Sequence, residues 1–103
     1  MEGALDGIVV RYAYDGDKAE WQRTVDGFLA AIAADADVQG RFGYVVTIAS
    51  DGVSRTHIGR WDSEKTLKTL QGRDYFGTFS QAIKGFAGDT LQATRMRVYG
   101  ETG

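Results

Sequence analysis

The sequence predicts an α+β fold of ferredoxin-like β-α-β-β-α-β order, with two helices covering one face of a four-stranded antiparallel sheet. Three observations predict it. Four short runs are rich in β-branched and aromatic residues, two stretches repeat apolar residues at helical spacing, and Asp51-Gly52 separates the second and third runs as a hairpin signal.

The first strand is read over Ile8 to Tyr14 (IVVRYAY), closed by the turn signal Asp15-Gly16. Asp17 then offers an N-cap, Glu20 completes a capping box, and Trp21, Val25, Phe28 and Ile32 recur at helical spacing, which predicts a helix over about 18–34. The polar stretch from Asp35 to Gly40 ends it. Tyr44 to Ala49 and Ser54 to Trp61 flank the hairpin turn and predict two antiparallel strands. Asp62 or Ser63 caps a second helical region, in which Leu67 and Leu70 precede an interruption at Gln71-Gly72-Arg73. Beyond that break Phe76, Phe79, Ile83 and Phe86 form a second helical face ending at Gly88, a suitable C′ residue. Leu91 to Tyr99 reads as the fourth strand.

At 103 residues, 43% of them apolar, the chain suits one domain over 1–103 with a modest core. Twelve basic against 14 acidic residues give no broad positive field, so neither nucleic acid nor an anionic membrane surface is expected as a partner. Cysteine is absent and there is one histidine, which excludes disulfides, thiolate sites, cysteine nucleophiles and multi-histidine metal sites. No metal ligand set is assigned. The 14 glycines are scattered without nucleotide-binding spacing, and no serine sits in a nucleophile elbow. The N-terminal MEGALDG has no export pattern and no run approaches the ~20 apolar residues of a membrane span, so a cytoplasmic location is expected.

Both faces of the sheet carry apolar groups. Val9 and Ala13 alternate with Ile8, Val10 and Tyr12, Val45 and Ala49 with Tyr44, Val46 and Ile48, and Ile58 with His57 and Trp61. Helices cover only one side, and the other calls for a second cover, which predicts a homodimer with sheets packed face to face.

With Trp61 closing the third strand, Asp62-Ser63-Glu64 starting the next helix and Asp74-Tyr75-Phe76 reopening it, the chain over residues 8–100 resembles the antibiotic biosynthesis monooxygenase-like family of the dimeric α+β barrel superfamily. The resemblance implies a monooxygenase that uses no metal, flavin or haem: an acidic phenol-like or anthrone-like substrate, once deprotonated, reduces dioxygen itself. A haem-degrading branch of the family carries a helical Trp and His and a strand-one Asn. Aligned through Asp74 and Phe76, those helix positions here hold Leu70 and Ser80, and Ile8 to Tyr14 contains no Asn, a departure that argues against haem degradation.

The candidate catalytic residues are His57 and Arg95. His57 is the one side chain that ordinarily titrates near neutrality, so it suits a general base, although a lone histidine in a strand is ordinarily a hydrogen-bonded packing residue. Arg95 and Arg97 place charge on one face of the fourth strand, where they either pair with carboxylates across a dimer or reach solvent, or one offsets an enolate. The candidate substrate-binding residues are Trp61, Tyr12, Tyr44, Tyr75, Phe76 and Phe79: rings for stacking, phenols for a ketone or phenol oxygen. Each has an ordinary role as core. Gly59 leaves a gap between His57 and Trp61, either a slot for a flat ligand or a mark of a bulge or close approach. The expected function is a cofactor-independent monooxygenase acting on a small hydrophobic aromatic or polyketide-like molecule. The rivals are a ligand-binding or interaction module on the same fold, and an isomerase or cyclase using His57 without oxygen.

Overall fold

The hairpin around Asp51-Gly52 organises the sheet. In the computed structural model, which describes residues 5–102, Gly52 takes a left-handed φ of 74°, a conformation that favours glycine. The Asp51 carboxylate accepts from the backbone N–H groups of Val53 and Ser54, at 2.8 Å each, and from the Ser54 hydroxyl, also at 2.8 Å. Those bonds to the ionised form, led by the Ser54 N–H, lower the Asp51 pKa. The turn joins β2 (Phe42–Ile48) to β3 (Ser54–Trp61). β3 pairs antiparallel with β1 (Asp6–Ala13), and β1 with β4 (Gln92–Arg97), giving the order β2-β3-β1-β4. This is the expected ferredoxin-like sheet. Residues 1–4, part of the N-terminal stretch read for an export pattern, lie outside the described residues.

α1 (Lys18–Ala34) starts where Asp17 Oδ1 accepts from Ala19 N at 2.8 Å and Glu20 N at 3.2 Å. The predicted stripe of Trp21, Val25, Phe28 and Ile32 is buried against the sheet. The second helical region is two helices, α2 (Glu64–Gln71) and α3 (Asp74–Ala87). At their junction Arg73 turns back to the end of α1: its Nε donates to Asp35 Oδ2 at 2.9 Å and its Nη2 to Asp37 Oδ2 at 2.7 Å. The Tyr75 hydroxyl also donates to Asp35 Oδ2, at 2.6 Å. Held by Arg73 and then Tyr75, the Asp35 carboxyl lies well below its usual range, at about 2. The break at residues 71–73 is thus a clamp joining all three helices.

In the sheet register Tyr12 lies opposite Arg55, Val10 and Val46 lie opposite His57 from either side, and Tyr44 lies opposite Gly59. This face, under the helices, holds the buried Tyr12, Phe42, Arg55, His57 and Trp61. On the other face Val45, Ile58, Val9 and Thr94 form a row across all four strands, and on the same side Arg60 Nη1 donates to Glu101 Oε1 at 2.8 Å. Val45 is 55% exposed there. Among the described residues no helix is long and apolar enough to cross a membrane.

Candidate functional site

A cavity of about 270 Å³ lies between the sheet and the helices α2 and α3. The sheet contributes Ile8 and Val10 from β1, Phe42 and Tyr44 from β2, Trp61 from β3, and Ala93 and Arg95 from β4. The helices contribute Phe28, Leu67, Gln71, Phe76, Phe79, Ser80, Ile83 and Lys84, and Leu91 closes the loop side. The wall is mostly aromatic and aliphatic. Among the described residues its charged members are Lys84 and Arg95, and no acidic side chain lines it. Such a lining favours a flat apolar guest carrying negative charge.

The aromatic wall is packed rather than loose. Phe28 stacks on Phe79 with centroids 3.9 Å apart, and Tyr44 meets Phe28 edge-on at 5.2 Å. Arg95 lies over Trp61, its guanidinium carbon 5.1 Å from the ring centroid. Arg97, its neighbour on the same strand face, instead meets Asp6 within the chain, Nε to Oδ1 at 3.4 Å.

His57 stands behind this wall. It is fully buried and bonded through both ring nitrogens: the Tyr12 hydroxyl is 2.7 Å from Nε2 and the Tyr44 hydroxyl 2.8 Å from Nδ1. Trp21 Nε1–H donates to the Tyr12 oxygen at 2.8 Å, so Trp21, Tyr12, His57 and Tyr44 form one continuous relay. Burial first, and then the nearby Arg55 cation, hold the His57 pKa down at about 4. Burial likewise raises the pKa values of Tyr12 and Tyr44, so at neutral pH these three groups are uncharged.

Arg55 itself is 2% exposed and has no carboxylate partner among the described residues. Its Nη1 donates to the carbonyls of Gly52 at 3.0 Å and Val53 at 2.9 Å, and its guanidinium lies over Trp21, 4.4 Å from the ring centroid. Its Nε has no acceptor among the described residues. The charge is accommodated by carbonyl dipoles and an aromatic face.

Of the residues singled out from sequence, Arg95, Trp61, Tyr44, Phe76 and Phe79 line the cavity, while His57 and Tyr12 do not. Tyr75 belongs to the Asp35 clamp, and burial, then the bond to that carboxylate, raises its pKa to about 12. Phe86 packs on Tyr14 at 4.8 Å, away from the cavity. The gap at Gly59 is filled from the neighbouring strand: a Cβ there would come within 3.1 Å of the Tyr44 ring and 3.4 Å of Phe42. Gly59 therefore lets Tyr44 reach across to His57 rather than admitting a ligand. Sequence reasoning missed Gln71, Ser80 and Lys84 as lining residues and Arg55 as the buried charge.

The architecture is a ferredoxin-like α+β fold, and solved structures share it along nearly the whole chain. One is a single-residue variant of SnoaB, a cofactor-independent oxygenase from Streptomyces nogalater: 16% identity, TM-score 0.74, covering 94% of this chain and 95% of that one. Another is a candidate antibiotic biosynthesis monooxygenase from Caulobacter crescentus, at 18% identity and TM-score 0.74, covering 94% and 92%. A third, a candidate antibiotic biosynthesis monooxygenase from Nitrosomonas europaea, has 10% identity and a TM-score of 0.76, covering 100% and 98%. The fold is thus that of antibiotic biosynthesis monooxygenase-like structures, at identities that carry architecture and not chemistry. No family model and no curated protein matches the sequence.

Proposed function

We propose that the chain is a cofactor-independent monooxygenase-like protein, a cytoplasmic homodimer acting on a small aromatic or polyketide-like substrate in the cavity. The observation that carries this reading is the cavity itself: aromatic walls with, among the described residues, two cations and no carboxylate. The fold it shares with SnoaB supports the same reading. A substrate with an acidic methylene beside a conjugated ketone enters as, or becomes, its enolate. The enolate passes one electron to dioxygen, the resulting radical and superoxide join through a new C–O bond, and the peroxide anion takes back the proton lost on enolate formation. Loss of water from the hydroperoxide leaves a carbonyl, so one oxygen atom is retained, the other leaves in water, and the oxidised methylene supplies the electrons. The protein's part is to bind the ring against Trp61, Phe76 and Phe79 and to offset the anion with Arg95.

One observation favours a second reading, a ligand-binding module without turnover. His57 has both nitrogens engaged and a low pKa, so near neutrality it is a poor base. Oxygen uptake with anthrone-type substrates separates the two. Uptake without added cofactor is expected, reduced about tenfold by Arg95→Ala and abolished by Ser80→Trp, which places an indole in the cavity. Saturable binding of the same compounds without oxygen consumption would establish the module instead.

The homodimer rests on the bare sheet face, where Val45, Ile58 and Val9 lie in one row. Sedimentation at micromolar concentration is expected to give twice the 11.2 kDa chain mass, and a monomer there removes the dimer.

A further inference from the structure

The relay behind the cavity has a direction, and counting hydrogens reveals it. Trp21 Nε1, the Tyr12 hydroxyl, the neutral His57 ring and the Tyr44 hydroxyl each carry one hydrogen that can be donated, four in all. They are joined by three hydrogen bonds. One hydrogen is therefore left over whichever tautomer His57 adopts. With the proton on Nε2, His57 donates to Tyr12, Tyr44 donates to Nδ1, and the Tyr12 hydrogen is stranded. Tyr12 is 5% exposed, and its oxygen has no described partner beyond Trp21 and His57, so a stranded donor there is unfavourable. With the proton on Nδ1, Tyr12 donates to Nε2, His57 donates to Tyr44, and the surplus falls on Tyr44. Tyr44 is half-buried and part of the cavity wall.

We infer that His57 is held as the Nδ1–H tautomer, so that the relay ends in a Tyr44 O–H donor offered to the cavity, and that the ligand presents an oxygen acceptor there, an aryl or enol oxyanion. This deepens the proposed function and rests on its cavity-binding reading. Each link polarises the next, so the Tyr44 hydroxyl is a stronger donor than an isolated phenol. Arg55 sits at the far end, over Trp21 and beside His57, where a fixed cation favours electron density drawn in from the ligand. His57 is then a positioning residue that aims and polarises Tyr44, and substrate ionisation is left to the substrate's own acidity and to the cations of the wall. Specificity follows: a hydroxyl or amine that must donate at this point meets another donor and is rejected.

Two measurements test this. The chain has a single histidine, so long-range proton–nitrogen NMR of histidine-labelled protein reports one ring without ambiguity. The expected spectrum has Nδ1 protonated and Nε2 bare, and Tyr12→Phe, which removes the donor to Nε2, is expected to mix the tautomers. An Nε2–H ring in the unaltered protein overturns the inference, whether or not any variant folds. The second measurement is fluorine NMR titration with pentafluorophenol, ionised at neutral pH, and with hexafluorobenzene, a similar ring without oxygen. The phenolate is expected to bind more tightly, and Tyr44→Phe to weaken it about tenfold while leaving hexafluorobenzene unchanged. Equal loss for both probes, or no loss for either, overturns the role of Tyr44 alone. Failure of both probes to bind the unaltered protein removes the cavity reading and this inference with it.

Discussion

Arg55→Ala is expected to destabilise the protein by about 3 kcal/mol, lowering the melting temperature by roughly 15 °C. The side chain is 2% exposed beneath Trp21, so truncation leaves a void under the first helix that the strand pairing keeps from collapsing. It also removes the donor to the Gly52 carbonyl at the hairpin turn. The charge itself is a separate matter. Among the described residues Arg55 is a buried cation without a carboxylate and its Nε is unpaired, so its desolvation is only partly offset. Arg55→Met, which keeps much of the volume and discards the charge, is accordingly expected to stay within about 1 kcal/mol of the parent. Denaturant midpoints of the two variants decide the matter. Equal losses in both would mean that the guanidinium's own bonds, rather than its bulk, hold the hairpin to the helix.

Acidification supplies the second large effect. In the unfolded chain His57 takes up a proton below its ordinary pKa of about 6.5, whereas in the folded protein it resists until about 4. A depressed folded pKa contributes stability that is complete above 6.5 and lost progressively as pH falls towards 4. At 1.4 kcal/mol per pH unit the total is about 3 kcal/mol. The Asp35 carboxyl, held at about 2, adds its own loss only at lower pH, so the window between 6.5 and 4.5 isolates the histidine. Denaturation at pH 7.5, 5.5 and 4.5 should show that decline, and a histidine-free variant such as His57→Gln should be flat over the same range. A parent protein as stable at pH 4.5 as at 7.5 would contradict the assignment of a neutral, relay-bound ring. Arg55→Met, by removing the second cause of the low pKa, should narrow the window from its acid side.

The elements were legible where local signals agreed with packing. The Asp17 cap with the stripe from Trp21 to Ile32, and the Asp51-Gly52 turn with Ser54–Trp61 behind it, end where the sequence says they do. β2 begins earlier than the expected Tyr44, at Phe42, because Phe42 pairs with Trp61. β4 stops at Arg97, where its partner strand begins at Asp6, so its length is decided by pairing and not by its own composition. The cavity was half legible. Trp61, Phe76 and Phe79 announce themselves as aromatic rings on periodic faces, but Gln71, Ser80 and Lys84 resemble any solvated helix positions until α3 is laid over β4. The relay was hidden for a different reason. His57 and Tyr44 are bonded only because the hairpin centred on Asp51-Gly52 sets Tyr44 opposite Gly59, which leaves its ring room to slant. That register was available in the turn position. What it would bring together was not, since no spacing along one strand reveals a hydrogen bond between two.

The clamp of Arg73 and Tyr75 on Asp35 has a bearing on traffic. It rivets the three helices into a single tile, so a visitor gains nothing by prying them apart from one another. The edge strand Gln92–Arg97 is mostly exposed, and its Arg95 shares the cavity wall with Lys84 of α3. On the proposed reading, a ligand in the cavity meets two cations and a set of rings in the same wall, so its charge and its shape are tried together.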